Sequence, residues 1–348
     1  MYKSLKTIKA GEFNIVDNKL LYSFQHQVYY NGEVIYNGNP TSFKTFKSTV
    51  YVFDNFERLV VINLINKDKK EFGFISGISL FINENDIVYG HYSDDYSIQY
   101  RTRINLQSEQ KKWTIESYFG NGFILDNYLY ASCLNNRICK IDLNHPEQPL
   151  WQFNLSQLGR YTFLGEKYPY NVWQFVGIFN DVLWIQLRNF RLLALDIHSG
   201  KLIKLIDFHA ETADFTQNGG SFFPATMYLV EDKIIWLSGS ILIRVNLNSY
   251  QTEIIKTYHQ APRKEQWIFQ HNTYHKGKIY FVADYGNQYV TASYIGVMDA
   301  NTGEILWWYQ QKTNAEFNQA PQVNDTHLYV LSPRGFLYIF EKQTDKQV

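Results

Sequence analysis

Short apolar runs recur along this chain, each entered from a polar turn and each ending on one aromatic residue. The copies are N-K-L-L-Tyr22, S-T-V-Tyr51, N-D-I-V-Tyr89, D-N-Y-L-Tyr130, N-D-V-L-Trp184, E-D-K-I-I-Trp236, K-G-K-I-Tyr280 and D-T-H-L-Tyr329. Successive aromatics lie 29 to 54 residues apart, and 41 residues separate Tyr329 from Tyr22 when the chain is read through its end to its start. A repeat of roughly 40–50 residues that closes on itself is the signature of radially repeated sheets. Most copies are followed by a second apolar run ending in Asx, at Asn63, Asn105, Asp142, Asp196, Asn246 and Asp299. A polar turn and a further strand come next, closing near Trp113, Trp151, Ile206 or Trp307. A shorter apolar piece precedes the aromatic run, as at F-I-L-Asp126, F-V-G-I-Phe179 and M-Y-L-Val230.

Four short strands per repeat predict an all-β fold. The expected architecture is one β-propeller domain over residues 1–348 with eight four-stranded blades. The unit around Tyr22, with its Tyr30–Glu33 hairpin, is the shortest, and its merger with a neighbour would make the count seven. No segment predicts a helix of ten residues or more. Residues 320–341 supply only three strands, whereas Tyr2–Lys9 alternates polar and apolar residues without a blade of its own. The N-terminal segment is therefore expected to complete the last blade as its outermost strand and to leave no open edge.

The best-preserved turn, Ile295–Tyr309, reads I-G-V-M-D-A-N-T-G-E-I-L-W-W-Y. Asp and Asn bond their own backbone in turns, and Gly accepts the positive φ that a bulged hairpin demands. Its D-x-x-T-G-x-x-x-W pattern, at Asp299, Thr302, Gly303 and Trp307, resembles the repeat of the PQQ-type (quinoprotein-like) β-propellers. The copy at Asp196–Gly200 is a partial match. The resemblance covers the chain from about residue 100 onward and implies that the tryptophan docks blade to blade. In size the chain is similar to the non-catalytic propeller subunit of the outer-membrane barrel assembly machinery. Quinoprotein dehydrogenases share only the blade repeat. They carry adjacent cysteines and an acidic calcium site that have no counterpart in this sequence, so no cofactor and no metal is expected.

Charge and composition narrow the classes further. Lys plus Arg equals Asp plus Glu at 33 each, which lacks the broad basic field of a nucleic-acid or anionic-membrane binder. No apolar run reaches the length of a membrane span, and residues 1–13 hold no signal-peptide core. With only Cys133 and Cys139, a cytoplasmic protein with two free thiols is expected, the pair on two arms of one hairpin.

Motifs that could carry chemistry read as structure. His271 and His275 have no third ligand nearby and are expected as exposed turn residues. Adjacent Asp94 and Asp95 would point to opposite faces of an extended chain. Gly219 and Gly220 lack the context of a phosphate loop, and no nucleophile elbow is present.

The lengths of the connections carry more. Turns between first and second and between third and fourth strands are short, whereas long segments fall among second-to-third and inter-blade connections. Insertions on one face of a repeat array mark a binding face. The residues expected there are Tyr92, Asp94 and Tyr96, then Arg160, Tyr161, Phe163, Lys167, Tyr168 and Tyr170. Further along are Phe215, Arg263, Lys264, Tyr285, Tyr289 and Phe317, whereas Phe222 and Phe223 are expected to fold back as loop cores. Tyr and Arg dominate protein interface hot spots. The expected function is therefore a non-enzymatic protein binder, an adaptor or a toxin-neutralising immunity-type protein. The alternative is a carbohydrate-binding or carbohydrate-active propeller, with Asp94, Asp214 or Asp284 as candidate carboxylates. A PQQ-dependent oxidoreductase is a distant third.

Overall fold

The repeated polar turns take the conformation their residues favour. Asp17–Asn18, Gln25–His26, Asn135–Asn136 and Asn180–Asp181 are consecutive pairs with both φ positive, between 46° and 66°. That geometry matches the twist of the strands it joins and suits Asn and Asp more than other side chains. Each pair closes a short hairpin, and hairpin follows hairpin. In this computed structural model the described residues are 1–55, 58–73, 75, 77–93, 95–163, 166–212, 222, 225–258, 266–286, 293–311, 317 and 319–343.

The strands form eight four-stranded antiparallel sheets, the blades of a β-propeller, and one separate two-stranded sheet. Blades 1 to 7 occupy residues 12–37, 40–73, 78–116, 119–154, 172–207, 227–257 and 267–310, each a meander of four consecutive strands. Blade 8 takes three strands from residues 322–342, and Tyr2–Lys9 pairs antiparallel with Phe336–Lys342 as its outermost strand. The unit around Tyr22 is a complete blade, so the count is eight. The one α-helix among the described residues is the single turn Phe208–Glu211.

Two compact units divide the chain. One holds Gly11–Asn171 with the Asp196–Lys201 turn, and the other holds Met1–Ala10, Val172–Leu195 and Leu202–Val348. Four blades fall in each. Every repeat aromatic lies on the second strand of its blade, and Tyr51, Tyr130, Trp184 and Trp236 are wholly buried. Apolar clusters are shared by successive blades within each unit, such as Trp184, Leu192 and Ala194 with Trp236, Ile243 and Val245.

Successive blades are also locked by hydrogen bonds at the Asx turns. In each turn the Asx oxygen accepts backbone N–H groups: Asp299 from Asn301 at 2.8 Å and Thr302 at 2.9 Å, Asp196 from Ser199 at 2.7 Å. With its amides engaged, the turn exposes a carbonyl oxygen just beyond the Asx, and a neighbouring blade donates to it. Arg103 and the Trp113 indole both donate to the Leu143 carbonyl, each at 2.8 Å. Lys140 and the Trp151 indole both donate to the Ile197 carbonyl, at 3.1 and 2.9 Å. Lys70 donates to Leu106 O at 3.0 Å, and Arg244 to Asn301 O at 3.2 Å. At the Asp299 turn, the Tyr258 hydroxyl donates to Gly303 O at 2.7 Å. Trp307 packs between blades without such a bond, its ring 5.3 Å from Tyr2 and 5.6 Å from Phe340.

Two features differ from expectation. Cys133 and Cys139 are paired as a disulfide rather than held as free thiols. They do sit on the two arms of one hairpin, and Cys139 pairs with Ala131, two residues before Cys133. Both side chains thus emerge on one face with Cα atoms 6.2 Å apart, within disulfide reach. His271 and His275 lie half-buried in the strand Trp267–His275 rather than in an exposed turn, and burial lowers the pKa of both.

Gly200 has φ +68°, and a Cβ there would stand 2.5 Å from the Trp151 ring. Gly200→Ala is expected to cost about 2–3 kcal/mol in urea unfolding, because positive φ and overpacking act together. Gly32→Ala, at φ +86° with nothing within 4 Å, carries the backbone cost alone and should lose about 1 kcal/mol. Equal losses would mean that Trp151 does not need the bare glycine.

Asp86 is buried, accepts from Arg103 at 3.1 and 2.9 Å, and also meets Lys112 at 2.6 Å. Burial pushes its pKa up, but the hydrogen bonds and charges of Arg103 and Lys112 outweigh burial and hold it below the ordinary aspartate value. A lowered folded pKa stabilises above the unfolded value and loses that contribution as pH falls through the folded one. Asp86→Asn should therefore cost about 3–5 kcal/mol at neutral pH, since it strands the buried Arg103 guanidinium. It should also flatten the acid limb of the stability curve below about pH 4. A neutral-pH loss under about 1 kcal/mol would show that the ion pair is dispensable.

Candidate functional site

Five of the fifteen residues expected on the loop face fall in one hairpin that belongs to no blade, and Tyr170 follows directly after it. After blade 4, a single 3-10 turn, Leu155–Leu158, is capped by Asn154, whose side chain accepts from Ser156 N at 2.9 Å. Gly159, at φ +79°, then releases the chain into the strands Arg160–Phe163 and Glu166–Pro169. These two pair only with each other among the described residues.

Tyr161 sits directly opposite Tyr168 in the ladder, and their rings stack with centroids 5.8 Å apart. Tyr170 lies 5.5 Å from Tyr161, its ring tilted by 48°. Tyr170 is buried, and its carbonyl accepts from the Asn136 side chain at 2.6 Å, which ties the foot of the hairpin to blade 4. Tyr168 is 42% exposed, and Arg160 and Lys167 are exposed as well. Phe163 pairs through its backbone with Glu166. A rigid aromatic pair, two cations and unclaimed strand edges make this hairpin suited to contact another chain.

Tyr92 and Tyr96 form a second aromatic pair, in the second-to-third connection of blade 3. They are 56% and 79% exposed with rings 6.2 Å apart. Asp95 shapes that loop, accepting from Ser93 and Ser97, and those bonds push its pKa down to about 2. A carboxylate so held is a poor proton donor. Asp94, its expected companion, lies outside the described residues, as do Asp214, Phe215, Gly219, Gly220, Phe223, Arg263, Lys264 and Tyr289.

Phe317 does not present a surface. It is 1% exposed and packs edge-to-face on Tyr338 in a core cluster with Phe340 and Val330. Phe222 folds back as expected, stacked on Trp236 at 5.3 Å. Asp284 is buried and accepts from Gln270 at 2.7 Å.

Tyr285 joins an arrangement that the sequence pattern did not single out. It clusters with Trp267, Tyr294 and Trp308, one residue from each strand of blade 7. Trp267 lies 4.9 Å from Tyr285 and 5.2 Å from Tyr294, and Trp308 lies 5.7 Å from Tyr294. The rings meet at 53° to 76°. Trp308 stands opposite Gly296 and Trp307 opposite Val297, so the adjacent tryptophans face opposite sides of the sheet. Strand alternation across four strands was the available signal.

No group of three or more His, Cys, Asp or Glu side chains able to hold a metal ion occurs among the described residues. Cys133 and Cys139 are six positions apart rather than adjacent.

No family model and no curated protein matches the sequence. Solved structures do match. The chain is similar to BamB from Moraxella catarrhalis at a TM-score of 0.57 and 9% identity, over 98% of this chain and 100% of that one. It is similar to the computationally designed Ika8 protein at 0.58 and 12%, over 97% and 98% of the two chains. It is also similar to a europium-containing methanol dehydrogenase at 0.54 and 8%, over 98% and 93%. At such identities the likeness shows the fold alone, a β-propeller.

Proposed function

We propose that this chain is a non-enzymatic, protein-binding β-propeller, an adaptor or a toxin-neutralising immunity-type protein, whose partner engages the hairpin of residues 160–169. The observation that carries this reading is that hairpin: a two-stranded sheet outside the blades, bearing the stacked Tyr161 and Tyr168. A partner strand can add to such an edge through main-chain hydrogen bonds while tyrosine side chains supply contact area with few rotors. Arg160 and Lys167 on the same element favour an acidic partner surface. The likeness to BamB is compatible with this reading and supports it only at the level of fold.

The test is cross-linked affinity capture from the native host, comparing wild type with Tyr161→Ala/Tyr168→Ala, followed by titration of the captured protein. The double variant is expected to bind at least about ten-fold more weakly. Its melting temperature should stay within about 2 °C, because the hairpin stands apart from the blades. Equal binding by the two forms, or no protein captured by wild type, overturns the reading.

A further inference from the structure

The aromatic cluster of blade 7 borders a cleft for which neither the fold nor the hairpin has a use. The cleft is about 380 Å³ in volume and is lined by Lys256, Thr257, Tyr258, Trp267, Tyr285, Glu304 and Ile305. Its volume lies in the range of small-ligand sites, roughly 300–1,000 Å³. One wall is the end of the last strand of blade 6, and the other is the aromatic side of blade 7.

We propose that this cleft binds a neutral saccharide, with Tyr285 and Trp267 as stacking platforms and Glu304, Lys256 and Thr257 as hydroxyl partners. Three observations converge. The first is aromatic surface left open in the lining: Tyr285 is 39% exposed, and its ring lies 4.9 Å from Trp267 and 6.1 Å from Tyr294. Ring faces held this way offer the flat, apolar, electron-rich surface on which the C–H face of a pyranose packs.

The second is the rim chemistry. Glu304 accepts, Lys256 donates and Thr257 does either, which matches the mixed donor and acceptor pattern of vicinal hydroxyls. The two charges are opposite in sign, so the rim carries no net field that would select an anion or a cation. A nucleotide would stack on the same rings, but its phosphate would meet Glu304 as well as Lys256.

The third is rigidity. The floor is Tyr258, buried, packed edge-to-face on Phe269 at 4.8 Å and anchored through its hydroxyl to Gly303 O at 2.7 Å. That bond is one of the Asx-turn locks, so the cleft is held in shape by the contact that joins blade 6 to blade 7. A preformed floor lowers the ordering cost of a weak ligand. The site stands independently of the hairpin, which belongs to the other compact unit.

The test is a ligand-observed NMR titration of the full chain with three probes: cellobiose, maltose and N,N′-diacetylchitobiose. At least one is expected to bind saturably with a Kd of about 1 mM or tighter. Tyr285→Ala should weaken that binding at least about ten-fold, and Tyr285→Phe should retain most of it. Glu304→Gln alters an exposed side chain and should also weaken binding, which gives a readout should Tyr285→Ala fail to fold. No saturable binding by any probe up to about 10 mM overturns the proposal. So does an affinity that Tyr285→Ala and Glu304→Gln both leave unchanged.

Discussion

One backbone carbonyl per turn carries much of this architecture. An Asx side chain gathers the N–H groups of its own turn and leaves the next carbonyl facing outward. At two of these turns a cation and an indole from a neighbouring blade converge on it, Arg103 and Trp113 on Leu143, and Lys140 and Trp151 on Ile197. A carbonyl oxygen has two lone pairs, so both donors are accommodated at once. The arrangement satisfies a buried indole N–H, a buried ammonium and a turn carbonyl, none of which could be desolvated cheaply alone. It also explains the glycine at the end of the turn: the Trp151 ring covers Gly200, and Tyr258 together with Lys256 covers Gly303. The sequence motif that resembles a cofactor-binding family is thus the acceptor half of a joint between blades.

Much of the fold was legible because each of its devices is local. An aromatic inside a short apolar run marks the second strand of every blade, and Asx at the end of the third marks the turn. The completion of blade 8 by Tyr2–Lys9 could be read from a strand count that came out one short. The donor half of the joint was less visible. Lys140 and Arg103 sit on third strands among apolar neighbours, and only the structure shows their head groups reaching a carbonyl 40 to 57 residues away.

The candidate sites divide along the same line. The run from Arg160 to Tyr170 was visible as a long, aromatic, inter-blade segment, although its pairing into a hairpin was not. Phe317 shows the limit of that reasoning, because loop position says nothing about which way a phenylalanine turns, and this one turns into the core. The cluster of Trp267, Tyr285, Tyr294 and Trp308 was missed for the opposite reason. Its members are spread over 42 residues and come together only through the pairing of four strands. The cysteines follow the same rule: a spacing of six is compatible with many geometries, and the hairpin register brings the two sulfurs together.

The central claim is that where a cation and an indole share one turn carbonyl, as at Leu143 and Ile197, they act as one joint. A double-mutant cycle on Lys140→Met and Trp151→Phe, read by urea unfolding, tests it most directly. Each single change leaves the Ile197 carbonyl one donor, whereas the double change leaves it none. The account predicts that the double variant loses more than the sum of the singles by at least about 0.5 kcal/mol. Additivity within about 0.3 kcal/mol would contradict it and make the cation and the indole two separate contacts.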